Sequence, residues 1–243
     1  EAEKYYLKAI ELGNVDALNS LGNLYFEQEK YEKAEERYKE AMAKGNIYAP
    51  SNLGNLYKKQ DRYDEAEKYY LKAIELENVE ALNNLGYLYH TQERYEEAEK
   101  YYLKSINLKN NDSTVLNNLG TVYFNQEKYE EAEEKYKEAT AKGDINAPEN
   151  LGYLYQTQDR YEEAEKYYLK AIKLGNISAI NRLAILYEDM ERYDEAEERY
   201  KEAATKGNIH APSNLGNLYK KQERYEEAEK YYLKAIELGN VDA

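Results

Sequence analysis

Residues 15–46 read VDALNSLGNLYFEQEKYEKAEERYKEAMAKGN and contain two helical patterns in succession. In the first pattern Leu18, Leu21, Gly22 and Tyr25 follow the i, i+3, i+4, i+7 spacing of one helix face. In the second pattern a comparable spacing is kept by Tyr31, Ala34, Tyr38, Ala41 and Met42. The stretch therefore predicts two amphipathic helices joined by a tight turn, the second ending at a Gly-Asn pair.

This pattern recurs along the whole chain at steps of 32 residues, with one step of 34. Counted from Val15, the predicted copies and partial copies are 1–14, 15–46, 47–78, 79–112, 113–144, 145–176, 177–208, 209–240 and 241–243. Two helices of this length cannot enclose a core, so each copy must pack on its neighbours. We therefore predict an all-α solenoid of tandem helix-turn-helix repeats that forms a single domain over residues 1–243.

The repeated residues resemble those of the tetratricopeptide repeat (TPR). The matching positions are Leu18, Leu21, Gly22, Tyr25, Ala34, Tyr38 and Ala41, and the match extends over every copy. The segment from Tyr38 to Ala49 is also similar to the Sel-one-like repeat. The chain departs from the TPR pattern in lacking the Pro that commonly closes a copy and in its shorter period. The resemblance implies a right-handed α-α superhelix whose first helices line a concave, peptide-binding groove.

Composition excludes several classes of function. The chain of 243 residues carries 34 Lys+Arg against 48 Asp+Glu, a net charge of −14, which opposes binding to nucleic acid or to an anionic membrane surface. It has no Cys, and no apolar run approaches the roughly 20 residues of a membrane span. We expect a soluble chain, with a cytoplasmic location favoured, and neither nucleic acid nor a membrane as partner.

Catalytic and metal-binding patterns are absent from the sequence. His90 and His210 lie in distant copies without a partner at metal-ligand spacing, and the carboxylates recur in every copy as a solvated face would. We therefore predict no catalytic residue, no metal ligand and no cofactor. The predicted function is that of a non-enzymatic protein-interaction scaffold that binds a peptide segment of a partner.

The candidate binding residues lie on the first helix of each copy, opposite the buried Leu and Tyr positions. At about 100° per residue, the side chains on this face include an aromatic strip of Tyr87, His90, Phe124 and Tyr153. A pair of lysines flanks the strip toward each end: Lys58, Lys59, Lys220 and Lys221. Exposed aromatic side chains in a groove are typical anchors for apolar side chains of a partner.

A series of asparagines precedes the Leu-Gly step, at Asn52, Asn84, Asn118, Asn150 and Asn214. An amide donates and accepts hydrogen bonds, so a ladder of amides could bind the backbone of an extended peptide. This series resembles the asparagine ladder in the TPR domain of the transferase that attaches N-acetylglucosamine to proteins. The alternative is that Asn serves a local structural purpose at this position.

The second helices end in two ways, which predicts two kinds of junction. Some end in Leu, and we expect that Leu to bury apolar area against Leu82, Leu116 or Ile180 of the next first helix. Others end in Lys and precede a Pro in the first turn of the next helix, at Pro50, Pro148 and Pro212.

The two ends of the sequence match: residues 1–17 are identical to residues 227–243. The chain thus starts and stops at the same phase of the repeat. A fragment of a longer array and an engineered array both fit this identity. Because contacts that do not close into a ring give open assemblies, the alternative function is a self-assembling or engineered repeat array that stacks head to tail.

Overall fold

The computed structural model describes residues 1–108 and 112–240. Within these ranges the chain contains fifteen α-helices and no β-strand, which confirms the all-α prediction. The helices are α1 (Ala2–Glu11), α2 (Val15–Glu27), α3 (Tyr31–Ala43), α4 (Ala49–Lys59), α5 (Tyr63–Glu75), α6 (Glu80–Thr91), α7 (Tyr95–Asn107), α8 (Ser113–Asn125), α9 (Tyr129–Ala141), α10 (Ala147–Thr157), α11 (Tyr161–Lys173), α12 (Ser178–Asp189), α13 (Tyr193–Thr205), α14 (Ala211–Lys221) and α15 (Tyr225–Glu237).

Within each unit a first helix packs on its second helix through a small-residue contact, as α2 does on α3. Leu18 and Leu21 of α2 are buried, and a Cβ placed on Gly22 would lie 2.5 Å from the ring of Tyr38 in α3. The glycine is therefore required for the close approach of the two helices. Ala34 and Tyr38 bury the facing side of α3.

The turns that end the helices use the left-handed backbone region. The second helix α3 ends at Gly45 with φ +88°, as its Gly-Asn pair predicts. After α2 the same region is occupied by Glu29 at φ 57°, and the N–H of Lys30 donates to the carbonyl of Tyr25 at 2.9 Å. Glu77, which takes the place of Gly45 one copy later, has φ 62°.

The predicted burial of the terminal leucines is wrong. Leu12 and Leu76 are 81% and 40% exposed, because each occupies the C-cap of its helix and points to solvent. The isoleucine two residues earlier makes the junction: Ile10 and Met42 pack against a cluster of Leu18, Ala41 and Ala49. The prolines do lie in the first turns of α4, α10 and α14, as predicted.

The helices form two compact units, unit 1 (Glu1–Gln126) and unit 2 (Glu127–Ala243). In unit 1 the first helices lie side by side, α2 against α4, α4 against α6 and α6 against α8. In unit 2 the first helices α10 and α12 are neighbours in the same way. Each second helix packs on the next first helix, as α3 does on α4. The first helices that are neighbours in this way therefore form one layer in each unit.

A carboxylate on each of several second helices ties one copy to the next. Glu197 of α13 accepts hydrogen bonds from Lys201, Tyr219 and Arg224 at 2.5, 2.9 and 2.8 Å. Burial opposes ionisation of this carboxyl, but the three donors outweigh it and lower its pKa to about 2. The guanidinium of Arg224 also lies 4.1 Å from the ring centroid of Tyr219. The corresponding carboxylates of other copies with the same Tyr and Arg partners are Glu133 and Glu165.

Candidate functional site

The predicted binding residues lie on one side of the first helices, opposite their buried Leu and Tyr side chains. We call this side the first-helix face and describe it separately for unit 1 and unit 2. In unit 1 it is presented by α2, α4, α6 and α8. Tyr87, His90 and Phe124 all lie there, on α6 and α8.

An aromatic cluster occupies the first-helix face of unit 1 at α6. Tyr87 is 43% exposed, and its ring centroid lies 6.4 Å from that of His90. His90 in turn lies 5.9 Å from the ring of Tyr95 in α7. The half-buried Phe124 belongs to the neighbouring helix α8. The cluster therefore offers an open tyrosine ring beside a half-buried imidazole.

His90 is held as part of this cluster and not as an isolated surface residue. Its Nε2 lies 2.9 Å from the amide nitrogen of Asn125 in α8. Burial lowers the pKa of His90, which favours the neutral ring at neutral pH. A neutral Nε2 accepts the amide hydrogen of Asn125, so this bond joins α6 to α8.

Lys58 of α4 reaches the same cluster. Its Nζ lies 4.6 Å from the ring centroid of Tyr87, and the side chain is half-buried. Burial lowers the pKa of Lys58, and within residues 1–108 and 112–240 no carboxylate forms an ion pair with it. The adjacent Lys59 is exposed. Lys58 therefore places a cation without a carboxylate partner beside an exposed aromatic ring.

A buried hydroxyl below this cluster lacks a hydrogen-bond partner. Tyr102 of α7 is fully buried, its ring packs against Gly86 of α6, and its Oη contacts no acceptor among the residues that the structure describes. In other copies the equivalent hydroxyl donates to a first-helix side chain, as Tyr70 does to Asn55 at 2.7 Å. Tyr87 occupies the Asn55 position in the copy of Tyr102.

The face pattern of the first helices does not include Tyr102, which lies on the second helix α7. The signal was present as a spacing: Asn at one position and Tyr fifteen residues later are bonded in the pairs Asn23–Tyr38, Asn55–Tyr70 and Asn217–Tyr232. Four copies, 79–112, 113–144, 145–176 and 177–208, keep the Tyr and replace the Asn. In the last two, Gln156 and Glu188 accept the hydrogen bond instead, from Tyr168 at 2.7 Å and from Tyr200 at 3.1 Å. A buried donor without an acceptor costs about 1–3 kcal/mol.

The asparagine series bonds to the preceding copy. The amide nitrogen of Asn52 donates to Oδ1 of Asn19 at 2.8 Å and to Oδ1 of Asn23 at 3.2 Å. The amide nitrogens of the other members with a described bond donate to the preceding first helix: Asn84 to Ser51, Asn118 to Asn83 and Asn214 to Asn181. These amides therefore join neighbouring first helices, and Asn150 also lies half-buried on this face.

A cleft of about 320 Å³ opens on the first-helix face of unit 1 between α2 and α4. Its lining residues are Asn23, Phe26, Glu27, Tyr38, Asn52 and Asn55. Since α4 contributes to this cleft and also carries Lys58, the polar cleft and the aromatic cluster are neighbours on one surface. This surface has amide and aromatic groups, which bind peptide backbone and apolar side chains respectively.

The first-helix face of unit 2 is dominated by paired charges. Tyr153 of α10 is 38% exposed, and the guanidinium of Arg182 lies 4.9 Å from its ring centroid. Arg182 is also 3.7 Å from Glu149. Lys221 of α14 pairs with Glu188 of α12 at 3.6 Å, whereas Lys220 of α14 is exposed. Tyr153 therefore lies in a different electrostatic setting from Tyr87, a difference that the spacing alone does not show.

The part of the chain that the structure describes contains no group of three or more His, Cys, Asp or Glu side chains arranged to hold a metal ion. Among its helices, none combines the length and the apolar character that crossing a membrane requires. The chemistry of the first-helix face is that of hydrogen bonds, cation–aromatic contacts and apolar surface, which suits recognition of another molecule.

Paired helices repeated within each unit, with each second helix packed on the first helix that follows it, define a helical-repeat protein. Models described as Tetratricopeptide repeat match residues 15–45, 47–111, 78–142, 115–176, 177–207 and 213–238, and a Sel1 repeat model matches residues 1–14. The chain belongs to the tetratricopeptide repeat family. Proteins of this family act generally as non-enzymatic interaction scaffolds, and a scaffold that binds protein partners is the class of function that the family assigns to this chain. No curated protein matches the sequence.

Solved structures share this fold. A tetratricopeptide repeat protein from Parabacteroides merdae aligns over 93% of each chain, with a TM-score of 0.70 and 21% identity. PilF of Pseudomonas aeruginosa aligns over 79% of this chain and 91% of its own, with a TM-score of 0.66 and 25% identity. A chain of the APC/C hetero-tetramer Cut9-Hcn1 aligns over 90% of this chain but 46% of its own, with a TM-score of 0.70 and 19% identity.

Proposed function

We propose that the first-helix face of unit 1 binds a peptide segment of a protein partner, with Tyr87 as the anchor for an apolar side chain. His90 and Phe124 supply further aromatic surface on α6 and α8. An aromatic side chain that is rigid and half-exposed loses little conformational entropy on binding, which suits it to this purpose.

The observation that carries this proposal is the unpartnered hydroxyl of Tyr102. Asn at position 87 would supply the acceptor that Asn55 supplies to Tyr70. The sequence instead has an exposed aromatic ring there and leaves a buried donor unsatisfied. A residue that lowers stability while exposing apolar surface is typical of a binding site.

In this proposal the asparagines both join neighbouring first helices and bind the backbone of the peptide. One N–H of Asn84 is used by Ser51. An amide has two N–H groups and a carbonyl oxygen, so bonding capacity toward a peptide backbone remains. The proposed order along unit 1 is backbone contacts at Asn52, Asn84 and Asn118, with side-chain contacts at Tyr87 and Phe124.

Unit 2 carries a second, separately proposed contact region. It consists of Tyr153 with Arg182 stacked on its ring, together with Asn150, Asn214 and the lysines Lys220 and Lys221. We propose that residues 1–243 form one solenoid domain of the repeats given above. No catalytic residue, metal or cofactor has a part in the proposed function.

The test uses a display library of short random peptides selected against the full chain. Selected peptides are then measured by calorimetry against the native protein and against Tyr87→Asn, which places a residue from sister copies at this position. The control is Tyr225→Asn, because Tyr225 is 64% exposed but lies on the second helix α15. We expect Tyr87→Asn to weaken binding by about tenfold.

Two outcomes would contradict the proposal. One is equal binding to the native protein and to Tyr87→Asn. The other is an equal loss in Tyr87→Asn and Tyr225→Asn, which would indicate non-specific attraction to exposed tyrosines. Binding lost in Tyr87→Asn alone supports the first-helix face of unit 1 as the binding surface.

A second prediction is that copies of the chain 1–243 assemble head to tail. Its basis is the identity of residues 1–17 with residues 227–243. Since α1 and the end of α15 share this sequence, α15 of one copy carries the side chains with which α1 packs on α2. Light scattering over a concentration series tests it: a mass that grows with concentration supports assembly, and a constant mass near 28.6 kDa contradicts it.

A further inference from the structure

We propose that the peptide bound by unit 1 carries an Asp or Glu side chain that pairs with Lys58, next to the apolar side chain that lies on Tyr87. This inference rests on the proposed function and names the chemistry of its ligand. The recognised segment is therefore acidic, although the protein itself carries a net charge of −14.

The position of Lys58 is the first argument. Its Nζ lies over the exposed ring of Tyr87 at 4.6 Å, so a group that reaches the ammonium also reaches the ring. The side chain is half-buried, and in the described part of the chain it has no ion pair. A half-buried cation without a carboxylate is less stable than a paired one, and an incoming carboxylate would supply the missing partner.

Burial distinguishes Lys58 from the other lysines of unit 1. Among the described residues, those without a carboxylate partner are exposed, as Lys33, Lys68 and Lys72 are, whereas Lys39 pairs with Glu35 at 2.6 Å. On the first-helix face Lys59 and Lys220 are exposed to water, whereas Lys58 is half-buried. Glu27, which lines the adjacent cleft, forms no ion pair with Lys58.

The chain contains a natural comparison for Lys58. Helix α14 has the same sequence as α4, APSNLGNLYKK. In α14 the lysine equivalent to Lys58 is Lys220, which is exposed and lies over no ring among the described residues. Its neighbour Lys221 pairs with Glu188 and lies 5.0 Å from the ring of Tyr193. In the described residues no first helix follows α14, so Lys220 has no neighbour in the place that Tyr87 of α6 takes beside Lys58.

The surface around Lys58 favours an acidic side chain within a segment over a terminal carboxylate. The first-helix face continues on both sides of Lys58, toward the cleft at Asn23 and Asn52 and toward Asn118 on α8. A segment that ended at Lys58 would use only one of these two directions. A segment that crosses the face places its acidic side chain at Lys58 and its backbone along the amides.

The experiment uses the display library described above, with each random peptide followed by a fixed uncharged extension that removes any free carboxyl terminus from the segment. A second library presents the same peptides with a free carboxyl terminus. Selected peptides are synthesised, the first set with amidated ends, and measured against the native protein, Lys58→Gln and the control Lys72→Gln. Lys72 is an exposed lysine on the second helix α5 of the same unit, away from the first-helix face. Each acidic residue of a peptide is also replaced by its amide.

We expect peptides from the first library to share an Asp or Glu near an apolar residue. Lys58→Gln should weaken their binding about tenfold, and Lys72→Gln should leave it unchanged. Replacing the acidic residue by its amide should weaken binding to the native protein but not to Lys58→Gln, because the two changes remove one interaction. Added salt should reduce the difference.

Three results would overturn the inference, and one of them would also overturn the proposed function. Peptides that need Tyr87 but not Lys58 leave the proposed function standing and remove the acidic ligand. Peptides found only with a free carboxyl terminus show that a terminal carboxylate is the ligand. If no peptide from either library depends on Tyr87, the proposed function itself fails.

Discussion

The hydroxyl of Tyr70 donates a hydrogen bond to Oδ1 of Asn55 at 2.7 Å, and this bond closes the small-residue contact between α4 and α5. The same bond joins Tyr38 to Asn23 at 2.8 Å. In the copy that contains Tyr102 the acceptor is replaced by Tyr87. The aromatic cluster of unit 1 is therefore associated with the loss of a repeated hydrogen bond.

Restoring the acceptor should raise stability. In Tyr87→Asn the new amide oxygen lies where Asn55 lies in its own copy, so the buried hydroxyl of Tyr102 gains a partner. We expect the free energy of unfolding to increase by about 1 kcal/mol, measured by urea denaturation followed by circular dichroism. The same variant is expected to bind peptide more weakly, so stability and affinity should move in opposite directions.

The reciprocal change is the matched control. Asn55→Tyr removes the acceptor of Tyr70 and should decrease the free energy of unfolding by about 1–3 kcal/mol. If Tyr87→Asn lowers stability, or if both changes have the same sign, the missing hydrogen bond of Tyr102 is not a stability cost at this position.

A second prediction concerns the turn after α5. Glu77 has φ 62°, where the equivalent residues of other copies are glycines such as Gly45 at φ +88°. An L side chain is strained in this region, so Glu77→Gly should increase the free energy of unfolding by about 0.5–1 kcal/mol. Thermal denaturation of Glu77→Gly measures the effect, and Gly45→Ala should lower the melting temperature. A melting temperature unchanged by both variants would show that these turns are not strained.

Much of the fold could be predicted from the sequence because the determining signals are local. The spacing of Leu18, Leu21 and Tyr25 predicts the buried face of a first helix. The glycine before Asn46 predicts where the second helix ends. Because these features recur in every copy, a copy whose own pattern is ambiguous can be assigned from the equivalent positions of the others. The tetratricopeptide resemblance followed from the same positions.

The remaining features depend on contacts between copies, which spacing does not reveal. Leu12 and Ile10 are both apolar and close in sequence, yet only Ile10 points to the junction. Likewise Lys58 and Lys220 belong to helices of identical sequence. Lys58 is half-buried beside Tyr87 of the next first helix, whereas Lys220 is exposed, since no first helix follows α14 in the described residues. The sequence therefore places the candidate residues on the first-helix face, but the partners of their charged groups follow only from the packed structure.

A third prediction concerns the contribution of the asparagine series to stability, apart from its proposed contribution to peptide binding. Asn52→Asp keeps the shape of the side chain but removes the donor to Asn19 and Asn23 and adds a negative charge beside their oxygens. We expect the free energy of unfolding to fall by about 1–2 kcal/mol at neutral pH, measured by urea denaturation. Unchanged stability would mean that these amide bonds do not hold neighbouring first helices together.

Acid should weaken the ties between copies through Glu197. Its pKa is about 2 in the folded chain against an ordinary value of 4.5, because the donors Lys201, Tyr219 and Arg224 outweigh burial. A carboxyl with a lowered folded pKa contributes stability above its unfolded pKa and loses that contribution as pH falls through the folded one. The window for Glu197 therefore runs from about pH 4.5 down to about pH 2.

Glu197→Gln should lower stability at neutral pH and flatten its fall across this window, because the amide cannot titrate. The control is Glu198→Gln, since Glu198 is exposed on the same helix α13 and should leave the slope unchanged. Urea denaturation at a series of pH values measures both slopes. Parallel curves for the native protein and Glu197→Gln would show that the acid sensitivity resides in other carboxylates, and that the junction of α13 with α14 does not depend on this charge.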